Sequence, residues 1–152
     1  MIAFGDSLAA GIGAAAGAVN LGVVGWGLYH HDVPARLDAL HDISKSGDNV
    51  LISVGTNDTP GPDYEQRLVA LRMSVSPLSR VTWLAPPTGC WGRKTVAAEK
   101  ITPIINAIAD RYGDRIIDAN SCDHRLRADD GLHFTPRGYD LIADAAKESF
   151  AP

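Results

Sequence analysis

Short apolar runs alternate with longer segments of helical periodicity along the whole chain. This alternation constrains the fold more than any other feature, because it is typical of a parallel β-sheet with helices packed on both faces. We therefore predict an α/β protein, a three-layer α/β/α sandwich with a five-stranded parallel sheet. The predicted strands are Ile2–Phe4, Val19–Val24, Val50–Val54, Val81–Ala85 and Arg115–Asp118.

The helices are predicted from apolar residues at three- and four-residue spacing. Asp32 and Asp63 precede two of these segments and are expected to cap them. In the last segment we expect Leu141, Ile142 and Ala145 to face the sheet. The predicted helical segments are Val33–Leu40, the residues that follow Asp63, Thr95–Tyr112 and Pro136–Phe150.

The composition is that of an ordinary globular chain, and its 152 residues suit one domain, residues 1–152. The net charge of −4 and the lack of a lysine or arginine run argue against nucleic acid as a partner. The apolar runs are too short to span a membrane, and no charged segment precedes an apolar one at Met1. We expect a soluble protein without a signal peptide. A trimmed secreted form would look the same, so the compartment stays open, as does the oligomeric state.

The two cysteines, Cys90 and Cys122, match neither a metal-site spacing nor a disulfide-rich framework. Two separate, partly buried thiols are the interpretation that the sequence favours. A single disulfide between neighbouring loops is the alternative. The histidines and acidic residues are not arranged at metal-ligand spacing, so no metal is expected.

Residues suited to chemistry follow the ends of several predicted strands. Ser7 follows the first strand, Gly25 the second and Asn57 the third, while Asp130 and His133 precede the last predicted helix. Ligands of parallel α/β sheets bind beyond the carboxyl ends of the strands. We therefore expect a functional site at this edge of the sheet.

Ser7 has two interpretations from the sequence, a helix cap or a nucleophile. A serine nucleophile needs a base within hydrogen-bond reach, and the base needs an orienting partner. Asp130 and His133 are three positions apart, so a turn can place both on one side, with the imidazole facing Ser7. Acyl transfer also needs donors for the developing oxyanion. The candidates are the N–H groups of Ser7 and Gly25 and the side-chain amide of Asn57.

Four sequence blocks lie at or near these positions: Gly5-Asp6-Ser7-Leu8, Asn20-Leu21-Gly22-Val23-Val24-Gly25, Gly55-Thr56-Asn57-Asp58 and Asp130-Gly131-Leu132-His133-Phe134-Thr135-Pro136-Arg137-Gly138-Tyr139. In this order they resemble the blocks of the SGNH hydrolase superfamily, the GDSL esterases and lipases. The resemblance covers nearly the whole chain. It implies the flavodoxin-like SGNH hydrolase fold and a serine hydrolase that needs neither metal nor cofactor.

The resemblance also implies a role for each site residue. Ser7 would be the nucleophile, His133 the general base and acid, and Asp130 the carboxylate that orients the imidazole. The oxyanion hole would combine the N–H of Ser7, the N–H of Gly25 and the side-chain amide of Asn57. The implied reaction is hydrolysis of a carboxylic ester through an acyl-enzyme intermediate.

The substrate is the least determined part of the prediction, since the superfamily includes lysophospholipases, thioesterases, simple esterases and carbohydrate deacetylases. Trp26, Trp91 and Arg93 follow predicted strands and are candidate substrate-binding residues. The short chain favours a shallow site for a short acyl group, such as an acetyl on a sugar or polymer. The alternatives are a lysophospholipase or thioesterase for longer acyl chains, and a non-catalytic glycan-binding domain.

Overall fold

The computed structural model describes residues 1–45, 47–91 and 96–148, and its centre is one parallel β-sheet. The strands in these ranges are β1 (Ile2–Gly5), β2 (Val19–Gly22), β3 (Asn49–Ser53), β4 (Arg80–Leu84) and β5 (Arg115–Ile117). They lie in the order β2-β1-β3-β4-β5, and every neighbouring pair is parallel. The predicted α/β class with a five-stranded parallel sheet is therefore confirmed.

Helices connect the strands and cover both faces of the sheet. Those in the described ranges are α1 (Ser7–Ala16), α2 (Val33–Ile43), α3 (Tyr64–Ser74), α4 (Val96–Tyr112) and α5 (Pro136–Glu148). Helices α1 and α5 pack on one face, and α2, α3 and α4 pack on the other. Within the described ranges, no helix is both long enough and apolar enough to cross a membrane.

The three central strands are buried on both faces. Phe4, Ile52 and Trp83 belong to the core beneath α2, α3 and α4, while Leu51 and Leu84 belong to the core beneath α1 and α5. Successive side chains of a strand point to opposite faces of the sheet. A strand covered on both sides is therefore mostly apolar on both faces, which explains why the predicted bounds of β1, β3 and β4 are each correct to within one residue.

The second strand is shorter than predicted. It ends at Gly22, whereas the apolar run continues to Val24. A turn begins at Val23, whose carbonyl accepts the Trp26 N–H at 3.2 Å, and Val24 is exposed. Hydrophobicity alone does not reveal this turn, which depends on the positive φ of Gly25, +77°.

The two predicted caps do not act as side-chain caps. Neither Asp32 nor Asp63 accepts a side-chain hydrogen bond from the first turn of its helix. Each carboxylate is held by another side chain instead. The indole Nε1 of Trp26 donates to Asp32 at 2.8 Å, and Nε of Arg67 donates to Asp63 at 2.8 Å. The partner of Asp32 comes from the loop before its helix and that of Asp63 from the next turn of its own helix, so helix-cap preferences could not predict either one.

Helix α5 buries a different set of residues from the predicted one. Leu141 is 49% exposed and Ala145 is exposed, whereas Ile142, Ala143 and Ala146 are buried against α1 and the sheet. Small side chains allow two helices to approach closely, so Ala143 and Ala146 mark the packed face here. The prediction is correct for Ile142 and wrong for Leu141 and Ala145.

The two cysteines form a disulfide. Cys90 lies in the loop after β4, Cys122 lies in the loop after β5, and their Cα atoms are 5.6 Å apart. Strands β4 and β5 are neighbours in the sheet, so the loops that follow them are also neighbours. The favoured interpretation as free thiols is therefore wrong. The pairing depends on strand order, which cysteine spacing does not contain.

Candidate active site

The chain reverses sharply between β1 and α1, and this turn positions Ser7. Gly5 has a φ of +136°, and a side chain at this position would collide with the carbonyl of Ser53. Asp6 is the N-cap of α1, since its Oδ1 accepts the N–H of Leu8 at 3.0 Å. Asp6 therefore performs the capping that the sequence left open for Ser7. The hydroxyl of Ser7, the first residue of the helix, is free to contact another group.

That contact is with His133, and it is part of a continuous chain of hydrogen bonds. Ser7 Oγ lies 2.9 Å from His133 Nε2, and His133 Nδ1 lies 2.5 Å from Asp130 Oδ2. The other carboxylate oxygen of Asp130 accepts the N–H groups of Leu132 and His133, each at 2.9 Å. The turn from Asp130 to His133 thus brings together the three side chains that the sequence predicted to meet.

The environment of Asp130 keeps its carboxylate ionised. Partial desolvation opposes ionisation, but hydrogen bonds from the His133 ring and from the N–H groups of Leu132 and His133 outweigh it and lower the pKa of Asp130 to about 2. The ionised carboxylate accepts a hydrogen bond from the N–H at His133 Nδ1. The proton stays on Nδ1, so Nε2 has a free lone pair directed at Ser7. In this arrangement the imidazole can take the proton of the Ser7 hydroxyl.

The predicted oxyanion donors lie at the same edge of the sheet. Gly25 is in the exposed turn after β2, and Asn57 follows β3 and is also exposed. In the described part of the chain, the N–H groups of Ser7 and Gly25 donate to no acceptor. The Asn57 amide donates one hydrogen bond to the Trp26 carbonyl at 3.0 Å, and an amide nitrogen has a second hydrogen to offer. The role of these three donors remains a prediction.

Asp58 holds the loop that contains Gly25 against the loop that contains Asn57. Its Oδ1 accepts the N–H of Leu28 at 2.8 Å, and its Oδ2 accepts the hydroxyl of Tyr64 at 2.7 Å. Burial raises the pKa of Asp58, and these two hydrogen bonds offset only part of the shift. Asp58 therefore supports the two loops, since both of its oxygens are bonded to protein groups.

Asp6 is buried beside the nucleophile. Its side chain is fully inaccessible, and Oδ1 also accepts the Ser53 hydroxyl at 3.1 Å. Its Oδ2 and the buried Thr56 hydroxyl have no partner of good hydrogen-bond geometry, although Thr56 is close enough to help lower the carboxyl pKa. Burial is the larger effect and raises the pKa of Asp6 above its ordinary value.

Trp26 is not a substrate-binding residue. Its side chain is 1% exposed, and its ring packs edge-on against Phe4 at 5.3 Å between centroids. The guanidinium of Arg36 lies over its other side, 4.7 Å from the ring centroid. The prediction for Trp26 is wrong because the chain turns inward immediately after Gly25 and sends the indole into the core. The sequence position beside a site glycine could not distinguish these orientations.

Trp91 lies at the edge of the candidate site. Its side chain is 43% exposed and stacks on His124, with ring centroids 4.5 Å apart. A Cβ atom at Gly131 would touch the indole, so the ring lies beside the turn from Asp130 to His133. A non-glycine residue with a φ of +53° is strained, and Trp91 is one. Arg93, the other predicted substrate-binding residue, lies outside the described residues.

Arg127 is a buried residue of this region, and the sequence marks it only as one of several loop arginines near the predicted site. It is 2% exposed, and its guanidinium donates to the carbonyls of Ser121 and Leu132 at 2.8 and 2.6 Å. An arginine in a polar loop is usually exposed, so nothing in the local pattern marks Arg127 as buried. Among the described residues, no group of three or more histidine, cysteine or acidic side chains is arranged to hold a metal ion.

Comparison with solved structures supports the same architecture. A carbohydrate acetylesterase from Sinorhizobium meliloti aligns over 98% of this chain and 98% of its own, with a TM-score of 0.69 and 20% identity. A member of the lipolytic G-D-S-L family from Veillonella parvula aligns over 98% and 96%, with a TM-score of 0.71 and 17% identity. The aryl esterase of M. smegmatis aligns over 97% and 96%, with a TM-score of 0.65 and 19% identity. No protein-family model matches the sequence, and no curated protein matches it significantly.

Proposed function

We propose that this chain, which has the fold of the SGNH hydrolases, is a serine esterase that hydrolyses carboxylic esters through an acyl-enzyme intermediate. One observation carries the proposal, the unbroken hydrogen-bond chain from Asp130 through His133 to Ser7, with distances of 2.5 and 2.9 Å. A binding module has no need of a hydroxyl, an imidazole and an ionised carboxylate in this order.

The chemistry follows from the geometry in two half-reactions. In the first, Ser7 Oγ attacks the ester carbonyl carbon while its proton moves to His133 Nε2. The tetrahedral intermediate collapses, the bond to the alcohol oxygen breaks, and the imidazolium returns the proton to that oxygen. In the second, a water molecule gives a proton to His133 and its oxygen attacks the acyl carbon. When that intermediate breaks down, the bond between the acyl carbon and Ser7 Oγ breaks, the imidazolium returns the proton to Oγ, and the carboxylic acid is released.

The oxyanion of each intermediate needs donors that are already in place. We assign this role to the N–H groups of Ser7 and Gly25 and to the second amide hydrogen of Asn57. Two observations support the assignment. The two backbone N–H groups donate to no acceptor in the described ranges, and Asp58 ties the loop that contains Gly25 to the loop that contains Asn57.

The substrate that we propose is a short-chain ester, such as an acetyl group on a carbohydrate. The side chains of His133 and Asp130 are more than a third exposed, which suits an acyl group on a bulky, polymer-borne alcohol. Trp91 offers an exposed indole beside them, and indole faces stack well on sugar rings. Two similar structures are those of a carbohydrate acetylesterase from Sinorhizobium meliloti and an acetylxylan esterase from Geobacillus stearothermophilus.

The test is the rate of hydrolysis of p-nitrophenyl acetate, butyrate, octanoate and palmitate, with Ser7→Ala as the blank. We expect activity on acetate and butyrate that falls for the longer chains and is absent from the blank. A rate that rises with chain length would contradict the short-acyl proposal and favour a lysophospholipase or thioesterase. Failure of all four esters, together with no labelling of Ser7 by a fluorophosphonate, would contradict the esterase proposal and favour a glycan-binding domain.

A further inference from the structure

Arg127 occupies an unusual position for a charged side chain. Its guanidinium is buried and donates to the carbonyls of Ser121 (2.8 Å), Leu132 (2.6 Å) and Ala119. In the described part of the chain, no carboxylate lies within ion-pair distance of it. Burying a cation without a paired anion is costly unless other contacts compensate, and burial lowers the pKa of Arg127. Three neutral carbonyls provide that compensation.

The three carbonyls belong to two different segments. Ala119 and Ser121 are in the loop that leaves β5, whereas Leu132 immediately precedes His133. Guanidinium donors point outward in a fixed plane, so one arginine can hold two backbone segments at a set separation. The ring of Phe134 lies 4.0 Å from the Arg127 guanidinium carbon and packs against it. Arg127 therefore donates a hydrogen bond to the residue before His133, Leu132, and its guanidinium packs on the ring of the residue after it, Phe134.

Backbone hydrogen bonds hold the same turn from other directions. The carbonyl of His133 accepts the N–H of Ala128 at 2.9 Å, and the carbonyl of Gly131 accepts the N–H of Cys90 at 2.9 Å. These bonds fix the ends of the turn. The Leu132 carbonyl, between them, is held by the Arg127 side chain. Loss of the guanidinium would therefore free the Leu132 carbonyl and leave the peptide that joins Leu132 to His133 held only by the His133 N–H, which donates to Asp130.

We propose that Arg127 is a positioning residue for the general base, since its guanidinium fixes the Leu132–His133 peptide and keeps the imidazole within hydrogen-bond distance of Ser7. The inference rests on the proposed esterase function for its kinetic consequence. It adds to that function a buried contact outside the triad, at a residue that does not touch the substrate. A displacement of about 1 Å in a catalytic group can cost about 100-fold in rate.

The chain offers a matched control at Arg72. This second buried arginine is 8% exposed and makes a two-pronged pair with Asp114, at 2.7 and 2.9 Å. Asp114 directly precedes β5, so the pair lies at the amino end of that strand, whereas the candidate site lies beyond the carboxyl ends. Removing either guanidinium leaves buried acceptors unpaired and should lower the melting temperature. Only the loss of Arg127 should change the chemistry.

The experiment compares Arg127→Met, Arg127→Lys and Arg72→Met at a temperature well below all their melting points. For Arg127→Met we expect kcat for p-nitrophenyl acetate to fall about 10- to 100-fold, with KM within about twofold of wild type. Labelling of Ser7 by a fluorophosphonate should slow by a similar factor. The downfield proton NMR signal of the His133 Nδ1–H bonded to Asp130 should broaden or disappear. Arg72→Met should keep kcat, the labelling rate and the signal.

The proposal is overturned if folded Arg127→Met keeps kcat and the labelling rate within about twofold of wild type. If Arg127→Met does not fold, Arg127→Lys decides the question. A single ammonium cannot reach both segments in the guanidinium geometry, so an unchanged kcat in that variant would also overturn it. The NMR signal needs no turnover. A wild-type protein that shows the signal but hydrolyses no ester would contradict the esterase proposal, whereas a signal that Arg127→Met leaves unchanged would contradict the positioning role.

Discussion

At the scale of single residues, Asp6 and Ser7 divide two tasks that one residue cannot perform together. A serine that caps a helix directs its hydroxyl at a backbone N–H and holds it there. Because Asp6 accepts the N–H of Leu8, the Ser7 hydroxyl remains available to His133. The cost is a carboxyl group buried beside the nucleophile, with one oxygen that lacks a partner of good geometry. At this scale we predict the effects of substituting Asp130 in the proposed triad, Asp6 beside the nucleophile, and Trp91.

Asp130→Asn should lower kcat about 100- to 10,000-fold and leave KM nearly unchanged, because the amide no longer fixes the imidazole in the productive tautomer. Residual turnover should remain above the Ser7→Ala blank, since the oxyanion donors are intact. Steady-state kinetics with p-nitrophenyl acetate measure both parameters. Asp129→Asn is the matched control, because Asp129 is exposed and adjacent to Asp130 in the sequence, and its substitution removes the same charge. An unchanged kcat in Asp130→Asn would remove Asp130 from the triad.

Asp6→Asn should be more stable than wild type at neutral pH. Burial raises the folded-state pKa of Asp6, so the folded protein binds its proton more tightly than the unfolded chain does. Wild-type stability therefore falls as pH rises from the unfolded pKa, about 3.8, through the raised folded value. The melting temperature of Asp6→Asn relative to wild type should rise over that window and then level off. A melting-temperature difference between Asp6→Asn and wild type that decreases over the same pH window would contradict a raised pKa for Asp6. Exposed Asp38→Asn controls for the change in net charge.

Trp91→Ala should reduce kcat/KM for an acetylated oligosaccharide about 10-fold or more, and should change kcat/KM for p-nitrophenyl acetate much less, because only the sugar needs the indole face. Trp91→Phe keeps an aromatic face and should retain most of the activity. The two kcat/KM ratios, measured side by side, check the proposed substrate class. Equal losses on both substrates in Trp91→Ala would indicate that Trp91 supports the turn beside it and does not bind sugar.

At the scale of secondary-structure elements, the sequence predicts the bounds of a strand best when the strand is buried on both faces of the sheet. Strands β1, β3 and β4 have apolar side chains on both sides and were predicted almost to the residue. The edge strand β2 was overestimated, because hydrophobicity does not register the turn at Val23. In α5, Leu141 is more hydrophobic than alanine, yet Ala143 and Ala146 are buried in the core beside α1 and Leu141 is exposed. Close approach of two helices favours small side chains. The sequence of α5 alone does not show that α1 packs against it, so it could not predict which face is buried.

The disulfide between the β4 and β5 loops has a consequence for stability. It closes a loop of 32 residues, so its loss should cost about 2–4 kcal/mol of unfolding free energy. We expect a reducing agent to lower the wild-type melting temperature to that of the double variant Cys90→Ser/Cys122→Ser. The double variant itself should not respond to the reductant. A wild-type melting temperature that is the same with and without reductant would contradict a stabilising role for the disulfide.

At the scale of the whole molecule, the strand order explains why the candidate residues meet. The chain runs from β1 to β2 on one side and then returns to β3 on the other, which places a topological switch point between β1 and β3. Ser7 follows the first of these strands and Asn57 the second. The sequence could predict that Ser7, Asp130 and His133 meet at this edge of the sheet, because each lies after a strand or before a helix and in a block that resembles those of the SGNH hydrolases.

Other features of the site depend on tertiary contacts without a local signal. The inward turn of Trp26, the burial of Arg127 and the pairing of Cys90 with Cys122 are each decided by segments distant in sequence. A loop arginine and an exposed-looking tryptophan have the same local sequence context whether they point inward or outward. Their placement follows from the loops that the sheet brings side by side, so it could be determined only once the order of the strands was known.

The tryptophans also give the protein an intrinsic optical reporter. Of the three in the chain, Trp26 and Trp83 are at most 1% exposed, whereas Trp91 is 43% exposed beside the candidate site. A soluble quencher such as iodide should therefore contact the Trp91 indole and quench its fluorescence, while the fluorescence of Trp26 and Trp83 stays unaffected. The Ser7→Ala variant cannot turn over substrate. In this variant, a decrease in iodide quenching when an acetylated sugar is added would directly measure ligand binding next to Trp91.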